Sequence, residues 1–482
     1  MHVLLKSAPR RTDTLGLQYA VLVRNGAIML RDIPKQSSAR AETVVVDQKD
    51  PSNDSATTAT TATTTATVAL LGLGYVGLPT ALAMHDAGLT VIGIDISSRR
   101  ISEIRTGRPD LLPSDMDRLA LARQDPDRFI ITDDLAELAG ADFVIVAVPT
   151  PVDSYLTPDL VPLRTACAAV VASARAGQTI ILTSTSYVGC TRDLIEIPLR
   201  LRGFEPGTDI FISFSPERID PANTQFGQAQ VPRVVGGLTP ACTSRAAALI
   251  ATISGATHLV SSTEAAELTK LLENTFRAVN ISLANEFAEV AHHLGLDPVE
   301  IVKAAATKPF GFMAFYPGPG VGGHCIPCDP HYLLWQMRSH QQHPSVIAAA
   351  MESISTRPAR VVERAAQVLA AVERGVRGAR VLVAGVAYKP DIADVRESPA
   401  LRIIAGLRQR GAHVSVYDPV VSSITVDGEV FLSQQGAVAV ADYDLVVVCC
   451  LHASMDPAIF TSARLVLDAT YKLPAAANRQ VP

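Results

Sequence analysis

A chain of 482 residues exceeds what one hydrophobic core serves, so at least two globular domains with a helical piece between them are expected. Its 48% apolar and 18% charged residues, with few aromatics, suit the buried parallel strands of an α/β enzyme. A formal net charge of −5 gives no electrostatic footprint for nucleic acid or an anionic membrane, which leaves small molecules as the expected partners.

Residues 1–66 end in ATTATTATTTAT, a Thr/Ala tract with few apolar side chains at helix or strand period, and read as a disordered low-complexity tail. The opening MHVLLKSAPRRTDTLGLQYA has too weak an apolar stretch for a signal peptide, and no run of about 18 apolar residues follows. Seven cysteines without a regular disulfide spacing fit a reducing compartment, so a cytoplasmic protein is expected.

From Thr67 the segments TVALLGLG, TVIGID, DFVIVAVP, TIILTST and DIFISFSPE alternate with amphipathic stretches, which predicts strands and helices around a parallel sheet. The run EAAELTKLLENTFRAVNISLANEFAEVAHHLG predicts one long helix ended by Gly295. Its broad apolar face comprises Leu268, Leu271, Leu272, Phe276, Val279, Leu283 and Phe287. So much apolar surface predicts a position between domains and across a homodimer axis. After FYPGPGVGGHCIPCDP and more helix, RVLVAGVAYKP, HVSVYDP, DLVVVCC and RLVLDAT open a second, smaller doubly wound unit. The expected fold class is therefore α/β: two Rossmann-like domains, 67–263 and 377–482, joined by a long central helix and a helical middle, 264–376. A cleft should lie where their strand ends face each other.

GLGYVG places Gly72, Gly74, Tyr75, Val76 and Gly77 directly after a strand and at the mouth of a helix. In that context the glycines permit a tight turn, close approach of backbone to a pyrophosphate, and helix–strand packing. Asp95 ends the next strand, where its carboxylate can accept both adenosine ribose hydroxyls and repel a 2′-phosphate, which favours NAD over NADP. Arg99 and Arg100 follow; they either bind a 2′-phosphate or pack against the adenine and ribose.

GGHCIPCDP sets Cys325 after a Gly/Pro loop and before a predicted helix, HYLLWQM, so a thiolate stabilised near a helix N-terminus is expected. Asp329 then stands at i+4, on the face of the sulfur. On the long helix, Lys270 and Asn274 share the same spacing and together can hold an oxyanion; the bland alternative is a lysine and an asparagine on a solvated face. Cys325 and Cys328 also form a CxxC, but the remaining cysteines are scattered and no second pair completes a zinc site, so no metal is expected.

The ordered series GLGYVG, VPTP, TSTSYVG, SPER, ELTKLLENTFRAVN, PGPGVGGHCIP and GVAYKPDIADVRESPA, running from about Thr67 to Tyr471, resembles the nucleotide-sugar dehydrogenase family that includes UDP-glucose and UDP-N-acetylhexosamine 6-dehydrogenases. The resemblance implies NAD as cofactor, a UDP-sugar as substrate and a uronic acid of polysaccharide biosynthesis as product. It matches Cys325 to the catalytic thiol, Lys270, Asn274 and Asp329 to oxyanion-stabilising and water-organising groups, and Glu217 to a carboxylate of thioester hydrolysis. It also matches Thr185 to a threonine beside nicotinamide, Thr150 and Arg396 to cofactor contacts, and Lys389 to a substrate ligand. The 315–323 loop, with Phe315, Tyr316, Gly318 and Gly322, resembles the cradle of the sugar nucleotide. Val188, Cys190, Cys328 and Pro221 depart from common family residues, and SPERIDPAN, LLENTFRAVN and AYKPD resemble the N-acetylhexosamine branch, UDP-N-acetylglucosamine above UDP-N-acetylmannosamine or UDP-glucose.

The implied chemistry is two oxidations at one carbon. The alcohol becomes an aldehyde, the Cys325 thiolate adds to it, a second oxidation gives a thioester, and water releases the acid. Two rivals remain: a single-step hydroxyacid or polyol dehydrogenase, and a non-catalytic NAD-binding scaffold.

Overall fold

The structure, a computed structural model, describes residues 18–24, 27–33, 66–109, 111–218, 230–436 and 438–482. Within the segment read as a disordered tail, β1 (Gln18–Arg24) and β2 (Ala27–Ile33) pair as an antiparallel hairpin. The expectation missed two apolar runs flanking Asn25-Gly26, a dipeptide suited to a tight hairpin turn. The Thr/Ala tract up to residue 65 and Pro221 lie outside the described residues.

The first large sheet is built from β3 (Thr67–Leu71), β4 (Thr90–Ile94), β5 (Phe129–Thr132), β6 (Phe143–Val146), β7 (Thr179–Leu182), β8 (Phe211–Phe214), β9 (Arg233–Gly237) and β10 (Thr257–Val260). Its order is β10-β9-β8-β7-β6-β3-β4-β5, parallel except where β8 meets β9. Strands such as Val68–Leu71 and Ile180–Leu182 are buried on both faces, which is why they read as unbroken apolar runs. Helix α1 (Gly77–Asp86) leaves the end of β3.

The long helix α2 (Thr263–His293) runs for 31 residues, its N-terminus capped by the Ser262 hydroxyl. Helices α3 (Asp329–Ser339) and α4 (Ser345–Ala370) pack against it. Leu271 is fully buried, but Leu272, Phe276, Leu283 and Phe287 of the apolar face stand between 45% and 65% exposed.

The second sheet contains β11 (Arg380–Ala384), β12 (His413–Tyr417), β13 (Ser423–Val426), β14 (Glu429–Gln434), β15 (Leu445–Val448), β16 (Val466–Asp468) and β17 (Arg479–Gln480), in the order β13-β14-β12-β11-β15-β16-β17. Helix α5 (Pro399–Gln409) covers it, with Ser398 as its cap. In both sheets the strand order reverses beside the first strand, between β3 and β6 and between β11 and β15, and such reversals open a crevice at the carboxyl ends of the strands.

The two crevices share a local design. The Gly72 amide donates to the Ile94 carbonyl at 2.8 Å, and the Gly385 amide donates to the Tyr417 carbonyl at 2.8 Å. A Cβ on Gly72 would come within 2.5 Å of the Ala147 carbonyl oxygen, and one on Gly385 within 1.9 Å of the Cys450 carbonyl oxygen. Both glycines hold positive φ, so a side chain is excluded there by conformation and by space alike.

Candidate active site

The glycine turn after β3 divides its labour as the sequence suggests. A Cβ on Gly77 would sit 1.7 Å from the Gly72 carbonyl oxygen, so α1 approaches the turn only because that residue is glycine. Gly74 is different: a Cβ there meets no protein atom within 4 Å, leaving backbone open to a ligand at the start of α1. Asp95 accepts the Leu73 and Ser97 amides, each at 2.8 Å, and is half-buried, whereas the corresponding acid of the second sheet, Asp418, is fully buried. Asp418 is filled by the amides of Val386, Ala387, Val420 and Val421 and by His452. Of these two acids, Asp95 is the one left part-exposed. Arg100 turns its Nε onto the Leu73 carbonyl at 2.7 Å and leaves Nη2 buried without a partner, which braces the turn from beneath.

Between the sheets lies a cleft of about 680 Å³ lined by Lys270, Asn274, Tyr316, Gly318, Gly322, Cys325 and Lys389, together with Arg218, Glu273 and Arg277. Lys270, Asn274 and Arg277 fall at i, i+4 and i+7 on one face of α2, and the solvated-face alternative is excluded because Asn274 is 4% exposed. Lys270 Nζ donates to the Glu217 carbonyl at 2.7 Å. Asn274 Nδ2 donates to Asp329 Oδ2. Arg233 Nη1 donates to Glu217 Oε2 at 2.6 Å in a buried ion pair.

Helix α3 begins at Asp329, with Cys328 as its cap, so Cys325 sits one turn ahead of the helix N-terminus. The spacing argument for Asp329 survives because its amide donates to the Cys325 carbonyl at 2.8 Å. The expected thiolate stabilisation does not: burial of the sulfur on its protein side and the nearby Asp329 raise the Cys325 thiol above its usual range, opposed by Lys270, Arg277 and Arg396. Cys325 itself is reachable from the cleft. Burial pushes Cys328 up to about 12, which makes it a poor thiolate and a poor redox partner. Burial also pushes Asp329 up to about 6, against Lys270 and the Asn274 hydrogen bond.

Phe315 lies edge-on to Phe276 at 5.9 Å, next in the chain to the cleft residue Tyr316. Thr185 is half-buried just beyond β7, and Thr150 is buried beyond β6; both stand on the side of the first sheet and outside the cleft lining. A second cleft of about 620 Å³ opens at the carboxyl ends of β11 and β15, lined by Tyr316, Gly318, Tyr388, Cys450, Tyr471 and Lys472 among others. It shares Tyr316, Gly318, Gly320 and Tyr388 with the first, so the two form one groove. Sequence reading missed Arg233 and Arg277; Arg277 was findable from its i+3 spacing to Asn274. It missed Glu267 as well, a buried carboxylate on α2 that accepts the amides of Gly189 and Thr191 and ties the Thr185 loop to the helix of Lys270. Among the described residues no group of His, Cys, Asp and Glu is arranged to hold a metal, and no helix is long and apolar enough to cross a membrane.

An open glycine turn after the first strand, a part-exposed acid at the end of the second, and a cleft that gathers a thiol, a lysine and an amide mark the class as an NAD-dependent oxidoreductase built on two Rossmann-type sheets. Residues 66–254, 264–354 and 382–472 match in turn the NAD binding, central and UDP binding domains of the UDP-glucose/GDP-mannose dehydrogenase family, and the chain belongs to that family. A UDP-N-acetyl-D-glucosamine 6-dehydrogenase of Pseudomonas aeruginosa is 34% identical over 386 residues, spanning 80% of this chain and 90% of that protein. A UDP-N-acetyl-D-mannosamine dehydrogenase of Yersinia pestis is 34% identical over 346 residues, spanning 69% and 80%. The solved UDP-D-ManNAc dehydrogenase of Pyrococcus horikoshii superposes with a TM-score of 0.78 at 30% identity, covering 86% of this chain and 98% of that one.

Proposed function

We propose that the protein oxidises the C6 alcohol of a UDP-N-acetylhexosamine, UDP-N-acetylglucosamine first, to the uronic acid through a thioester on Cys325. The observation that carries this reading is the placement of Lys270 and Asn274 across one cleft from Cys325, continuous with the groove of the second sheet. Motif wording favours the acetylated hexosamines, and relatives named for the gluco and manno sugars align at equal identity. Oxidation of UDP-glucose is the alternative. The domain division read from sequence, 67–263, 264–376 and 377–482, is part of the proposal, with NAD on the first unit and the nucleotide on the last.

The turn from Gly72 to Gly77, with Asp95, Thr150, Thr185 and Arg396, would hold NAD, which when bound supplies the hydride acceptor for both oxidations. The Cys325 sulfur adds to the aldehyde carbon, and the resulting oxygen anion is met by Lys270 and Asn274. Each such donor contributes on the order of 3 kcal/mol in comparable sites. Asp329, behind Cys325 and titrating near 6, is assigned as the group that takes the proton of the hydrolytic water. Glu217 is committed to Arg233, so its part is to seat Lys270 through its carbonyl. Lys389 and the Tyr316–Gly322 backbone hold the sugar nucleotide.

The exposed face of α2 supports a homodimer formed helix to helix, and seven unpaired thiols fit the cytoplasm. Assaying the purified protein with NAD against UDP-N-acetylglucosamine, UDP-N-acetylmannosamine and UDP-glucose tests the reading: the acetylated glucosamine should give the highest kcat/KM. NADH formation from none of them would refute it.

A further inference from the structure

Arg357, on α4, is 2% exposed and heads the large side chains buried so completely. Its guanidinium is divided among three parts of the molecule. Nε donates to the Gly318 carbonyl at 3.0 Å, Nη1 pairs with Glu289 of α2 at 2.9 Å, and Nη2 donates to the Tyr471 hydroxyl at 3.0 Å beyond β16. From the other side the Gly318 amide donates to Asn285 Oδ1 of α2 at 2.9 Å. Both peptide groups of Gly318 are thus held from behind by the two long helices. The same loop runs close to Pro399 and to Pro358, the residue after Arg357: a Cβ on Gly320 would stand 3.0 Å from the first and 3.4 Å from the ring of the second.

What faces the groove is the Cα of Gly318. A Cβ built there meets no protein atom within 4 Å, and φ is outside the left-handed range, so neither packing nor conformation calls for glycine at this position. Gly318 lines both clefts, and the open side leaves room for a ligand against backbone. A buried cation is a weak source of stability, because an apolar residue of like volume often serves the fold as well. The three-way geometry is what a guanidinium alone supplies.

We propose that Arg357 is a positioning residue for the sugar nucleoside diphosphate: it fixes the Gly318 carbonyl and the Tyr471 hydroxyl so that the cradle loop and the second sheet meet the ligand in one geometry. This rests on the reading of the groove as the nucleotide-sugar site. Arg357→Met leaves Glu289 paired with Arg360 at 2.7 Å, so no lone carboxylate remains. Arg357→Lys keeps the charge with one point of attachment. In initial-rate kinetics on the full chain, KM for the sugar nucleotide should rise about tenfold or more in Arg357→Met, with KM for NAD within about twofold of the parent and Arg357→Lys intermediate. Calorimetric titration with UDP should show the same loss in Kd, and it decides the matter even if the parent oxidises no sugar tried, an outcome that would instead count against the proposed reaction. Unchanged UDP affinity in both variants, or equal weakening of UDP and NAD, overturns the proposal. Should Arg357→Met not fold, the UDP affinity of Arg357→Lys alone decides: weaker supports it, unchanged overturns it.

Discussion

The guanidinium of Arg396 lies 4.4 Å from the centre of the Tyr75 ring, joining a loop of the second sheet's unit to the glycine turn of the first. Asp394 accepts from the same guanidinium with both oxygens, and the Arg396 carbonyl accepts the Gly323 amide at 3.0 Å. One residue therefore touches the cofactor turn and the loop of the thiol. Arg396→Leu removes the cation over the ring, an interaction of about 1 kcal/mol, and with it the cofactor contact proposed for Arg396. KM for NAD should rise about five- to tenfold in steady-state kinetics, with KM for the sugar nucleotide little changed.

The role proposed for Asp95 is to set cofactor choice through charge. On that reading Asp95→Ala removes a carboxylate that would accept ribose hydroxyls and repel a 2′-phosphate. The ratio of kcat/KM for NAD over NADP should fall at least about tenfold, and a ratio equal to the parent's would place discrimination elsewhere.

Asp329 gives the pH dependence. Its carboxyl is raised to about 6, so the folded protein keeps this proton while the unfolded chain loses it near 4. Stability from this group is present below about 4 and declines as pH rises to about 6, a cost on the order of 3 kcal/mol above that range. Activity should move the opposite way, rising through pH about 6 as the base form appears. Asp329→Asn should abolish that limb and raise the melting temperature at pH 7 relative to the parent; a limb retained in the variant would assign it to another group.

Much of this was legible in the sequence because it is local. Strands buried on both faces read as apolar runs, the Gly72–Gly77 turn is fixed by backbone geometry, and the i+4 pairing of Lys270 with Asn274 follows from helix pitch. Apart from Arg277, the residues that were missed act over long separations: Arg233 on Glu217, Glu267 on the 189–191 turn, Arg357 on Gly318. Nothing in a local pattern reveals which buried charge meets which distant carbonyl. The Cys325 thiol is a related case, since burial of the sulfur, which no local pattern reports, raises it above its usual range.

The apolar face of α2 has its own test. Leu272 is 65% and Phe287 57% exposed, more apolar surface than a lone helix leaves to water. Leu272→Glu with Phe287→Glu should convert a dimer to a monomer in sedimentation equilibrium, and a parent that already sediments as a monomer would remove the dimer proposal.

The central claim is that Cys325 carries the substrate between two oxidations. Counting NADH against sugar nucleotide consumed, with excess NAD and limiting substrate, measures it directly. Two NADH per sugar are expected, together with overall turnover lowered at least about a thousandfold in Cys325→Ser. One NADH per sugar, or full turnover in the serine variant, would contradict it.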